Sequence, residues 1–141
     1  MDISELEQRI GYEFHNGELL VTALTHSSYA NEFSRHNEEA ISFNERLEFL
    51  GDAVLELVTS EFIFENHKDM PEGQMSKLRA SMVCEPSLAI CARAVSLGDY
   101  LRLGRGEDMT GGRKRDSILS DAKAWLPQVD GLGIVEKYST N

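Results

Sequence analysis

The 141-residue sequence is 41% hydrophobic and 27% charged, enough apolar material for one core and too little chain for two ordinary domains. A formal charge of −10 excludes a broadly basic nucleic-acid-binding surface, so any contact with a polyanion has to be local. No segment is apolar for long enough to span a bilayer, and Met1-Asp2-Ile3-Ser4-Glu5 lacks the basic region and apolar run of a signal peptide; no membrane contact and a cytoplasmic location are expected.

Ser4 and Glu7 have the spacing of a capping box, and Leu6, Ile10 and Phe14 recur at helical intervals, which predicts a first helix weakened at Gly11. A second helix is expected after Asn16, with Leu19, Leu20, Ala23 and Leu24 on one face, running towards Thr25-His26-Ser27-Ser28-Tyr29. The polar stretch from about Ala30 to Ser42 reads as a loop. From Phe43 to about Phe64 there is no proline and one glycine, Gly51. Leu47, Leu50, Val54, Leu57 and Val58 return every three or four residues, predicting a long helix.

Pro71 suits the first turn of a helix that turns Met75, Leu78 and Met82 inward, and Pro86 does the same for a segment carrying Leu88, Ile90, Cys91 and Val95. Gly98 is a natural stop. Cys84 and Cys91 lack zinc-site spacing and are expected to be buried free thiols. Residues 104–112, rich in glycine, read as a loop, after which Asp116 or Ser117 is placed to cap a helix starting at Ile118. With no β-type alternation beyond a few residues, the fold class is all-α.

On the long helix, Glu45, Glu48, Asp52 and Glu56 fall within an arc of roughly 80°. Phe49 and Leu55 flank them, as though the acids were set into a helix buried on most sides. Like charges at this spacing repel by about 0.2–0.5 kcal/mol per pair when exposed, and by more when desolvated. Protonation would relieve the repulsion; a hard divalent cation would do so better, and its bound water is a nucleophile suited to a phosphodiester. On spacing alone, an ordinary solvated helix face remains the preferred explanation.

The exact string changes that weighing. Asn44-Glu45-Arg46-Leu47-Glu48-Phe49-Leu50-Gly51-Asp52-Ala53-Val54-Leu55 resembles, essentially letter for letter, the signature helix of the ribonuclease III family. Further segments resemble the family in order: residues 23–29 (Ala-Leu-Thr-His-Ser-Ser-Tyr), 72–80, 103–107 and 117–122 (Ser-Ile-Leu-Ser-Asp-Ala). The resemblance covers about residues 5 to 122. It implies an all-α endonuclease domain over residues 1–122 that forms a homodimer and cleaves double-stranded RNA, including ribosomal and other precursors. The ends left in this family are 5′-phosphate and 3′-hydroxyl.

By the same resemblance, Glu48 and Asp121 match magnesium ligands, with manganese as an alternative ion. Asp52, with Glu48, matches the catalytic acids, and Glu45 and Glu72 match auxiliary acids. Arg105, Gly106, Gly111, Gly112, Arg113 and Ser117 are the expected RNA contacts. His26 reads as a packed or hydrogen-bonded structural residue rather than a general base.

The pattern departs from the family after Ala122. A glutamate usually stands three positions beyond the aspartate, as a metal ligand, before an apolar helix; here that position is Ala124, and Pro127 would break such a helix. Residues 123–141 therefore read as an atypical tail, truncated or shifted in reading frame, with no double-stranded-RNA-binding domain. Two functions follow: a magnesium-dependent endoribonuclease, or an impaired member that dimerises and binds duplex RNA.

Overall fold

The computed structural model describes residues 3–124, the last two by their backbone; the expected atypical tail lies almost wholly outside them. In chain order the helices are α1 (Ile3–Ile10), α2 (Gly17–Ala23), α3 (Ser27–Asn37), α4 (Glu45–Asn66), α5 (Glu72–Val83), α6 (Glu85–Ala94), α7 (Arg105–Met109) and α8 (Asp116–Ala124). Short 3-10 turns occupy Leu97–Tyr100 and Gly112–Lys114. No strand occurs among the described residues, and none of their helices is long and apolar enough to cross a membrane. The all-α expectation holds.

Leu6, Leu20, Leu24, Leu97 and Leu119 are fully or almost fully buried, and α1, α2, α6 and α8 gather around them. The most extensive packing is between α6 and α8, where Ala89 and Ala92 face a core shared with Ile118, Leu119 and Ala122. Small residues at such a contact let two helix backbones approach closely. That approach carries α8 to α4, which it also contacts.

The local signals succeed where side chains cap or stop a helix. Asn16 caps α2 by accepting from the backbone N–H groups of Glu18 and Leu19 at 3.0 and 3.3 Å. Pro71 is the N-cap of α5, and Pro86 lies in the first turn of α6. The capping box at Ser4 does not form: Ser4 is inside α1, and Glu7 Oε2 accepts instead from the Phe14 N–H at 2.7 Å.

Five expectations are corrected. α2 stops at Ala23, and much of the expected loop from Ala30 to Ser42 is helix α3, which ends at Asn37 and is capped by Glu38 with φ 54°. The acidic stripe does not sit in a helix buried on most sides. Phe49 is 83% exposed and Leu57, Phe62 and Phe64 are also open, because the buried arc of α4 rotates by roughly a third of a turn between Gly51–Val54 and Thr59–Ile63 as α4 passes from the core to α5. Both cysteines are exposed: Cys84 stands at the N-cap of α6, and α6 buries Ala89 and Ala92 rather than Cys91. The glycine-rich segment also contains a helix, α7, and α8 starts at Asp116, two residues earlier than Ile118.

A backbone junction joins three remote segments. The Arg102 N–H donates to the Leu24 carbonyl at 2.8 Å, the His26 N–H to the Arg102 carbonyl at 3.0 Å, and the Asn44 N–H to the Thr25 carbonyl at 3.0 Å. Arg102 Nη1 also donates to Thr25 Oγ1 at 3.2 Å, with its guanidinium 4.3 Å from the centre of the Tyr29 ring. Just beyond, the Gly104 N–H donates to Ser28 Oγ at 2.9 Å, and the backbones come so close that a Cβ on Gly104 would lie 2.6 Å from the Ser28 carbonyl oxygen. Gly104→Ala should therefore destabilise the domain by about 1–3 kcal/mol through overpacking against rigid backbone, measured as a lowered urea midpoint with unchanged m.

Candidate metal and phosphodiester site

The first turn of α4 begins where the junction ends. Asn44 is held by its own N–H on Thr25 and by Nδ2 donating to the Ala23 carbonyl at 3.3 Å; its carbonyl accepts from the Glu48 N–H at 2.8 Å. Glu48 is thus fixed to the residues around His26 by two hydrogen-bonded steps. Opposite it stands Asp121, carried by α8 after Ile118 and Leu119 enter the core.

Between these walls is a cavity of about 300 Å³ lined by His26, Ser27, Phe43, Asn44, Glu45, Glu48, Ile118 and Asp121. A larger open groove, about 960 Å³, runs along α2 on the other side of Thr25 and includes a single acid, Glu18. The smaller cavity is the one with chemistry, because it brings together acids 73 positions apart in sequence, Glu48 and Asp121.

Burial pushes the Glu48 carboxyl up to about 7, with the charges of Asp121 and Asp52, a hydrogen bond to Asp121 and the charge of Glu45 adding to the effect. Asp121 is raised chiefly by burial, against which the hydrogen bond from Glu48 works. These opposite signs describe one proton on Glu48 donated to Asp121, so the two titrate as a pair. Asp52, exposed one turn along α4, is also raised, first by partial desolvation and then by Glu56.

The sequence-derived acids separate accordingly. Glu45, Glu48 and Asp121 meet in the cavity, and Asp52 lies beside it. Glu72 is the first residue of α5, beyond the far end of α4, and does not line the cavity of this chain. Among the described residues, no group of three or more His, Cys, Asp or Glu side chains is arranged to hold a metal. The close pair is Glu48 and Asp121. That pair suits magnesium, which binds through one or two carboxylates and retains several waters; a cation there would relieve the repulsion otherwise relieved by the shared proton.

The basic segment divides in a way the sequence did not indicate. Arg113 Nε donates to Asp108 at 2.8 Å, and its Nη1 donates to the Gly98 and Leu101 carbonyls at 3.0 and 2.5 Å. Gly112 is buried against Glu107, which pairs with Arg115, and Ser117 is half-buried at the start of α8, its carbonyl accepting from Ser120 Oγ. Arg105, Gly106 and Gly111 are exposed. The Arg105 side chain is in none of the described ion pairs, although its N–H donates to Glu32 at 2.6 Å.

In metal-free buffer the Glu48 shift sets a direction. Its folded value lies above the unfolded one, so its contribution to stability is present at low pH and is lost as pH rises through about 7. Glu48→Gln should raise the thermal midpoint over the parent at pH 8, and the gain should shrink sharply by pH 5 and vanish below 4.5, where Glu48 is protonated in the folded and unfolded chain alike. Equal gains at both pH values would contradict the shared-proton pair.

A family model described as Ribonuclease-III-like matches residues 16–125. The chain is 57% identical to "Ribonuclease 3" of Oceanobacillus iheyensis over 86% of its own length and 52% of that protein's. It is 58% identical to that of Caldanaerobacter subterraneus over 85% and 51%. It thus spans about half the length of these curated relatives. Among solved structures, two of the nuclease domain of ribonuclease III from Campylobacter jejuni superpose with TM-scores of 0.80 and 0.79 at 41% identity, covering 94% and 99% of this chain and 85% and 89% of theirs. One of them is described as flexible in a region involved in dimer formation.

Proposed function

The chain belongs to the ribonuclease III family, and from that we propose that it is an endonuclease domain hydrolysing double-stranded RNA, ribosomal and other precursors included, to 5′-phosphate and 3′-hydroxyl ends. The observation that supports this reading best is the Glu48–Asp121 pair, two carboxylates from remote helices sharing one partly buried cavity. A magnesium ion held by that pair, or manganese in its place, would supply Lewis-acid polarisation of the phosphodiester. Glu48 and Asp121 would hold the ion, Asp52 stays beside the cavity as a solvent-accessible acid, and Glu45 adds negative charge to its lining. Arg105, Gly106 and Gly111 offer exposed contacts to backbone phosphates, which position a duplex without reading its sequence.

We place a second copy of the chain on the apolar stripe of α4. Phe49, Leu57 and Phe64 fall within roughly 80° of one another, immediately beside the acidic stripe on the side of Glu56. A partner seated there would wall the acids that a single chain leaves open, and would bring acids such as Glu72 towards a shared cleft. Phe49→Asp should shift the protein from dimer to monomer in sedimentation velocity, whereas a parent that sediments as a monomer at the same concentration removes the dimer.

Residue 124 supports a second reading. It is the last residue of α8 and stands three after Asp121, the register at which the family carries a further carboxylate; here it is alanine. Incubation with a labelled RNA duplex separates the two readings. The parent should cut in Mg²⁺, Asp52→Ala and Asp121→Asn should each lose at least about 10²-fold in rate, and Ala124→Glu should cut faster. A parent that binds the duplex yet cuts only after Ala124→Glu selects the impaired, duplex-binding member.

A further inference from the structure

His26 is an unusual helix cap. Its Nδ1 accepts from the Ser28 N–H at 3.1 Å at the start of α3, a task that serine, aspartate or asparagine performs with a smaller side chain. The same Nδ1 lies 2.8 Å from Ser28 Oγ, which itself accepts from the Gly104 N–H. With Nδ1 already accepting from the Ser28 N–H, Ser28 Oγ accepts from the Gly104 N–H and donates its own hydrogen to Nδ1. Two donors converge on one ring nitrogen, and Gly104 is pressed against the Ser28 backbone behind them.

That arrangement favours one tautomer. An imidazole that accepts at Nδ1 carries its proton on Nε2, and Nε2 makes no hydrogen bond among the described contacts. The ring lines the cavity of Glu48 and Asp121. The remaining polar side chains of that lining are acids apart from Ser27 and Asn44, and Asn44 Nδ2 is occupied by the Ala23 carbonyl. A lysine or arginine at this place would be captured by the carboxylates and would compete with a cation for them. An imidazole Nε2–H adds a donor to this lining without a fixed positive charge, although His26 does interact electrostatically with Asp121.

We infer that His26 is a substrate-contacting residue whose Nε2–H donates to a phosphate oxygen brought into the cavity, with Ser28 and Gly104 as the positioning residues that hold its ring. The inference rests on the phosphodiesterase reading above and adds a residue to it. The outer hydrogen-bonded pair orients the imidazole much as partners behind a metal-ligating histidine do.

His26→Asn separates the two jobs of the ring, because asparagine keeps the cap and removes Nε2. Its unfolding temperature should match the parent, while single-turnover cleavage of a short RNA duplex in Mg²⁺ should fall roughly 10²-fold. Cleavage at the parental rate overturns the inference. Imidazole ¹⁵N spectra of the metal-free parent provide a readout that needs neither activity nor a foldable variant: Nδ1 should be unprotonated and Nε2 protonated, and a protonated Nδ1 overturns the assignment. If the parent fails to cut, the endonuclease reading falls by itself. The His26 contact is then read by titrating the parent with the same duplex, where the Nε2 resonance should move on binding, and an unmoved resonance at saturation overturns it.

Discussion

The hydrogen bonds at residues 24–26 are the constraint on which the site depends. They tie the end of α2, the start of α4 and the segment before α7 into one backbone junction of three bonds between 2.8 and 3.0 Å. Each segment delivers something to the cavity. His26 follows Thr25 directly, Glu48 lies one turn beyond Asn44, and Gly104 locks Ser28 behind the His26 ring. Backbone-to-backbone bonds are short and stiff compared with contacts between long side chains, so the junction fixes positions more tightly than ion pairs would.

α8 supplies the other wall by a different physical route. Its register is set by apolar burial: Ile118, Leu119 and Ala122 face the core, and Asp121 is left at the boundary between core and cavity. That boundary explains why its carboxyl is partly desolvated and why Glu48, facing it, holds a proton near neutral pH. The acid pair is a place where packing forces like charges together. Charge held that way stores an unfavourable interaction that a proton or a cation relieves, the usual condition for a titratable or metal-binding site.

Much of this was legible from sequence, for identifiable reasons. Asn16, Pro71 and Pro86 act through their own side chains on adjacent backbone, so local chemistry was enough to find the helix starts. The string around Glu48 and Asp52 marked the acidic helix because it matched a family pattern. α3 was missed because its first turns carry only Tyr29, Ala30 and Phe33 as apolar residues, too few for a helical period. What starts it is the His26 cap, and what holds it is Arg102 on Tyr29 and the packing of α7, all products of the tertiary fold. The exposure of Phe49 was hidden for the opposite reason: periodicity reports that a side chain is apolar, not whether its own chain covers it. Cys91 was hidden in the same way, since residue type alone could not say that α6 turns Ala89 and Ala92 inward.

Charge balance decides how such an acidic chain approaches a polyanion. With a formal charge of −10, the arginines are the scarce resource, and the described ion pairs show where they go: Arg9 to Glu5, Arg93 to Asp116, Arg113 to Asp108 and Arg115 to Glu107. These pairs are not equivalent. Arg113 also donates to two carbonyls beside the Leu97–Tyr100 turn and so belongs to the fold; releasing it would strand backbone acceptors. Arg115 is the more exposed guanidinium of the two, but its partner Glu107 is half-buried and its Nη2 also donates to the Thr110 carbonyl at 3.3 Å, so it too is tied to the segment it comes from. Of the arginines in this segment, Arg105 is exposed and in none of the described ion pairs, while Arg113 keeps the turn beneath it in place. At the cavity an anion meets acids, where attraction depends on what neutralises Glu48 and Asp121 and on a donor without a fixed positive charge.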